Sequence, residues 1–97
     1  MALYILLARW TNRGIETIKN SPARLEHSKE LARSMGAEIE SFVLLMGQYD
    51  FGVRLRAPDD DTVAKFALAI SSEGNVRTET LRAFTEEEYR QIIAGIP

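Results

Sequence analysis

Met46-Gly47-Gln48-Tyr49-Asp50-Phe51 is a reversal between two strand-like runs, and its reading decides how the rest of the chain folds. Glycine permits the sharp change of direction, and Asp50 is expected to tie the turn's own amides to its side-chain oxygen. Tyr49 places an amphipathic ring at the mouth of whatever cleft the hairpin borders. Upstream, residues 37–46 begin polar and end apolar, as a strand entering the turn. Downstream, residues 49–56 alternate: Tyr49, Phe51, Val53 and Leu55 face one way, and Asp50, Gly52, Arg54 and Arg56 the other.

Outward from this hairpin, residues 3–10 are apolar on both alternating faces, which predicts a central strand covered on both sides. Ile15, Ile18, Leu25, Leu31 and Met35 then mark a helical stripe that Gly36 stops. Ser21-Pro22 breaks this stretch into a short helix, a joint and a longer helix over 22–35, with serine as N-cap and proline as first helical residue. Past the hairpin, Pro58 ends the strand, and Asp59, Asp60 and Asp61 supply an N-cap and first-turn acids for a second helix. That helix buries Val63, Phe66, Ala67 and Ile70 and stops near Gly74. Residues 76–84 form a fourth strand. Thr85 and Glu88 make a capping box for a short last helix carrying Tyr89, Ile92 and Ile93.

The order is β-α-β-β-α-β plus a terminal helix, within a single domain over residues 1–97. The simplest α+β architecture for it is a ferredoxin-like antiparallel sheet with both long helices on one face, which makes the first and third strands central. The first strand's second apolar row then lacks cover. Leaving it wet forgoes several kcal/mol at about 25 cal/mol per Å², comparable to the margin of stability of a small domain. A second copy packed sheet to sheet would cover it, giving a homodimeric α/β barrel. The competing arrangement folds the terminal helix over the sheet.

Composition narrows the function classes. A net charge of −2 supplies no basic footprint for nucleic acid or an anionic membrane. Without cysteine the chain has no disulfide, thiolate metal site or thiol nucleophile, which fits a cytoplasmic setting. The apolar start is too short for a membrane span and lacks the basic leader and cleavage site of a signal peptide. Nucleophilic triads, phosphate-cradling glycine loops and zinc signatures are absent, and no cofactor is expected.

A family resemblance rests on Tyr4-Ile5-Leu6-Leu7, Trp10-Thr11, Gly14-Ile15, Ser21-Pro22-Ala23-Arg24-Leu25 and Met46-Gly47-Gln48-Tyr49-Asp50. It continues through Ala57-Pro58-Asp59-Asp60, Lys65-Phe66-Ala67-Leu68, Gly74-Asn75-Val76-Arg77-Thr78 and Thr80-Leu81-Arg82-Ala83-Phe84-Thr85. In their order and spacing the chain resembles the GYD-domain family over essentially its whole length. Gln48 separates glycine from Tyr-Asp, so Gly47, Tyr49 and Asp50 align with the motif with one residue inserted. The family is similar to the dimeric α/β-barrel superfamily, which includes small oxygenases, chlorite-dismutase-like haem proteins and amino-acid-sensing regulatory domains. The resemblance implies the fold and the dimer and leaves the activity open.

The candidate site residues are Tyr49, Asp50, Arg54 and Trp10, around a cleft near the turn at residues 47–50 and the dimer interface. Arg54 and Arg56 require anions, either Glu38, Glu40 or Glu79 across the strands or a ligand carboxylate held in a guanidinium fork. If the ligand is a small carboxylate-bearing metabolite, Arg54 pairs with its anion and Asp50 with an amine or hydroxyl. Trp10, Tyr4 and Tyr49 are candidates for an aromatic pocket, or for core packing. His27, the single histidine, reads as a surface residue, and the triple aspartate as helix-start chemistry with no metal site. The function expected is a homodimeric, or higher homo-oligomeric, small-molecule-binding or assembly module. The alternative is a small cofactor-free or haem-dependent oxygenase, for which no catalytic residue other than Asp50 suggests itself.

Overall fold

The apolar run near the start of the chain forms strand β1, Ala2–Trp10, and the computed structural model describes every residue from Met1 to Pro97. Thr11 follows as an N-cap, its hydroxyl accepting from the Gly14 amide, and opens the short helix α1, Asn12–Glu16. A single 3₁₀ turn, Ile18–Asn20, joins α1 to α2, Ser21–Ser34. The expected serine cap is not used. Asn20 already has helical backbone angles and makes no side-chain cap bond, because the 3₁₀ turn runs straight into α2 and Ser21 lies within the helix. Gly36 ends the segment at φ +79°, and the Ala37 amide bonds back to the Ala32 carbonyl at 2.9 Å.

Strands β2, Glu38–Leu44, and β3, Phe51–Ala57, flank the reversal. Helix α3, Asp60–Ser72, leads into β4, Val76–Ala83, and the last helix is α4, Glu86–Ala94. The sheet is antiparallel throughout in the order β2-β3-β1-β4, so the first and third strands are central, as the sequence predicts. β3 starts at Phe51, two residues later than the alternation suggests, and Tyr49 belongs to the turn. A register shift between Ile39 and Ser41 leaves Glu40 as an extra residue of β2, a bulge with no sequence signature.

One face of the sheet carries the core. Tyr4, Leu6 and Ala8 of β1 and Val53, Leu55 and Ala57 of β3 pack beneath Ala32 of α2 and Val63, Phe66 and Ile70 of α3. The other face is left largely open: Leu3 is buried at one end of it, but Val43 is 54% exposed and Leu81 44%, with Ile5 and Leu7 half-buried between them. Helix α4 does not fold across this face. No residue of α4 is buried, and Tyr89, Ile92 and Ile93 stand about half exposed along it. The capping box is intact, with the Thr85 hydroxyl accepting from the Glu88 amide and the Glu88 carboxylate accepting from the Thr85 amide.

Asp59 caps α3, accepting from the Thr62 amide at 2.9 Å and the Thr62 hydroxyl at 2.7 Å. These bonds hold its carboxyl below the usual aspartate range. A lowered folded-state pKa gives stability that is present above the unfolded-state value and lost as pH falls through the folded one. Asp59→Ala is therefore expected to lower the thermal midpoint at neutral pH, and the deficit relative to the unmodified chain should close as the solution is acidified below the aspartate range. Calorimetry across that range checks it.

Candidate functional site

The reversal is held from both sides. The Leu45 amide bonds to the Asp50 carbonyl and the Asp50 amide to the Ala8 carbonyl, each at 2.8 Å. Gly47 sits at φ +149°, where an L side chain is strained. The Asp50 carboxylate does not serve its own turn, contrary to expectation. Its Oδ2 accepts from the Trp10 amide at 2.8 Å, forty residues earlier in the chain, because the turn lies beside the end of β1. The turn thus seals the last amide of a central strand.

Tyr49 departs from the alternation read in the sequence. Its hydroxyl donates to the Glu79 carboxylate, and the Arg9 guanidinium lies 4.8 Å from its ring centroid. Arg9 also donates to the Gln48 carbonyl at 2.6 Å. Arg9 and Glu79 belong to the uncovered face, so the turn folds Tyr49 onto that face. The Glu79 hydrogen bond, then burial, push the Tyr49 phenol above its ordinary range.

Arg54 is on the same face. It donates to Glu40 at 3.0 Å, and Arg56 reaches the same Glu40 oxygen at 3.3 Å. Of the three acids expected as partners, Glu40, the bulge residue, is the one used. Burial alone would raise the Glu40 carboxyl, but the two guanidinium groups outweigh it and hold it below the usual range. One carboxylate is thus shared by two arginines, with Glu88 also within reach of the Arg56 charge.

Trp10 lies on the opposite side of the sheet. Its ring packs against Phe51 at 5.4 Å between centroids, and Phe51 against Phe42 at 5.2 Å. These rings wall a cavity of about 300 Å³ between the sheet and helices α2 and α3, with Leu25, Phe66 and Ile70 across from them. Ser21, Arg24, Ser28, Glu73 and Asn75 supply its polar lining. The four sequence candidates therefore divide: Tyr49 and Arg54 share the open face, Asp50 bridges to β1, and Trp10 turns its ring into the cavity. Sequence reasoning missed the cavity. A row of aromatics was visible, but Tyr4 and Tyr49 go elsewhere, and Phe42 and Phe51 take their places.

Tyr4 is buried and donates to Asp60 Oδ1 at 2.5 Å, with Arg82 5.5 Å from its ring centroid. The Asp60 hydrogen bond, reinforced by burial, raises the Tyr4 phenol. The triple aspartate thus has two separate duties, Asp59 as cap and Asp60 as partner of a buried phenol. His27 is exposed and meets Glu73 at 3.1 Å, linking α2 to α3. No three His, Cys, Asp or Glu side chains converge as a metal-holding group, and no helix is long and apolar enough to cross a membrane.

With this geometry in place, comparison with known proteins gives two matches. The family model described as "GYD domain" matches residues 4–93. A Thermus thermophilus protein named "Glutamine synthetase and cystathionine beta-lyase binding protein" is 37% identical over 84 residues, covering 86% of this chain and 88% of that protein. No solved structure matches the chain at a significant level.

Proposed function

We propose a binding and assembly function for this chain, which belongs to the GYD-domain family: it pairs with a second copy through the uncovered sheet face and presents the pair to partner proteins. The observation that carries the reading is the uncovered face together with α4, an amphipathic helix none of whose residues is buried. Magnitude indicates how the two combine. Four strands about 4.8 Å apart and about seven residues long, rising about 3.3 Å each, present roughly 440 Å² of flat area before side-chain relief. A standard interface takes about 800 Å² from each partner. The apolar stripe of Tyr89, Ile92, Ile93 and Ile96 on or just beyond α4 makes up the difference by lying on the neighbouring copy.

Sedimentation should give twice the 10.9 kDa chain mass at micromolar concentration, whereas a monomer throughout that range overturns the pairing. Glu40 gives the pair a pH dependence with a definite sign. Its lowered pKa means its contribution is present above the ordinary glutamate range and lost as pH falls through the folded value. Acidification leaves Arg54 and Arg56 facing the neighbouring copy without their anion, so the dimer should weaken before far-UV dichroism changes.

The partner class follows from the relative. That protein's name gives glutamine synthetase and cystathionine beta-lyase as what it binds, and we carry a folded enzyme as partner class to this chain. Surface plasmon resonance with each purified enzyme should show saturable binding to at least one of them, and binding to neither at tens of micromolar counts against this assignment.

A second reading is favoured by the two guanidinium groups that share the one Glu40 carboxylate. In it, a cleft near the turn at residues 47–50 takes a small carboxylate-bearing metabolite, with Arg54 and Tyr49 on the open face and Asp50 behind them. If so, Arg54→Ala lowers affinity for that anion about tenfold or more, and calorimetry showing unchanged affinity rejects it.

A further inference from the structure

We propose that the cavity between the helices and the sheet binds a small molecule with an apolar body and a single carboxylate, received by Arg24. The inference is independent of the pairing proposed above, because the cavity lies on the helix-covered side of the sheet.

The cavity is more than a packing defect. Interiors pack to crystal-like density, and voids larger than a water molecule are few. A space of about 300 Å³ is at the lower end of the range for small-molecule sites. Its walls suit a flat or branched apolar body: Trp10, Phe51 and Phe42 form one side in tilted succession, and Leu25 and Phe66 form the other. It also opens to solvent at the β2 edge, where Leu44 lines it while remaining 66% exposed.

The charge follows from Arg24. Its Nη1 donates to the Thr17 carbonyl and the Thr17 hydroxyl, each at 3.0 Å, and its Nη2 donates to the Gly14 carbonyl at 3.1 Å. All three acceptors are neutral, and no carboxylate pairs with this guanidinium. Arginine has five N–H donors, so a fixed cation remains at the cavity with donors unspent. The acid in the same lining, Glu73, is engaged with His27 at 3.1 Å. A doubly charged phosphate would be repelled by Glu73, whereas a monoanion meets Arg24 with less opposition. An apolar body carrying one carboxylate matches both the walls and the charge.

Trp10 is the single tryptophan of the chain and lines the cavity, so its emission reports occupancy. The probe is 4-phenylbutyrate, with 4-phenylbutan-1-ol as its neutral counterpart, each titrated against Trp10 emission and confirmed by calorimetry. The acid is expected to bind saturably and about tenfold more tightly than the alcohol. Arg24→Gln should erase that preference while leaving alcohol binding in place, which also certifies that the variant has kept its cavity. Ser28→Phe, placing a ring in the same space, should abolish binding of both, with unchanged far-UV dichroism. No saturable response at millimolar acid overturns the proposal, and so does equal affinity for acid and alcohol, or a preference that survives Arg24→Gln.

Discussion

Leu81→Glu is expected to turn the proposed dimer into a folded monomer. Leu81 is on β4 opposite Ile5, on the uncovered face, and is 44% exposed in the single chain. A polar substitution at such a position changes the stability of an isolated domain by about 0.5 kcal/mol or less. In a two-fold interface the same change occurs in both copies. An unpaired charge buried there costs about 3 kcal/mol or more, so the dissociation constant should rise by about 100-fold or more. Sedimentation at matched concentrations reads the change, and far-UV dichroism confirms that the sheet survives. Leu81→Met, which keeps the face apolar, should leave the pair intact. A Leu81→Glu protein that still sediments as a dimer would move the interface elsewhere, to the strand edges or to α4 alone.

The fold was legible where the signal is local. β1 is apolar on both parities, which marks it as a central strand, and it lies between β3 and β4. The capping box at Thr85 and Glu88 is written in adjacent residues, and it forms. What the sequence did not disclose depends on contacts between distant segments. Alternation counted from Ile39 puts Phe42 on the open face. The bulge at Glu40 reverses that parity, so Phe42 pairs with Val53 and faces the cavity, while Val43 turns outward. No residue type marks a bulge, so the cavity wall could not be read in advance. Glu40 is among the acids the sequence offers Arg54 and Arg56, but its serving both from the bulge was not legible there. Asp50 was recognised as a bonding aspartate, but its partner is the end of β1, a neighbour supplied only by the sheet order. Trp10 was singled out as a pocket residue with the wrong companions for the same reason.

Gly14→Ala should be the most damaging small substitution in the chain, and its sign is the informative part. Replacing a helical glycine by alanine ordinarily stabilises by about 0.5–1 kcal/mol. Here a Cβ would run into the carbonyl oxygen of Asn75, a backbone atom with no rotamer to yield. That carbonyl also accepts from the Thr11 amide at 3.0 Å, and the Thr11 hydroxyl donates to the Gly74 carbonyl at 2.6 Å. α1 is thereby stitched to the corner between α3 and β4, and relieving the clash means undoing the stitches. Overpacking costs about 1–3 kcal/mol and each lost bond about 1 kcal/mol. A net loss of about 3 kcal/mol lowers the thermal midpoint by about 12–24 °C in a domain of this size. Gly95→Ala is the control, since a Cβ there meets only ordinary contacts, and it should be nearly silent. The clash also reaches the cavity. The Gly14 carbonyl is one of the acceptors that fix Arg24, so any folded Gly14→Ala protein should discriminate less between the acid and alcohol probes. A Gly14→Ala protein as stable as the parent would mean that α1 can lift off the α3–β4 corner freely, and the rigid seating of Arg24 would fail with it.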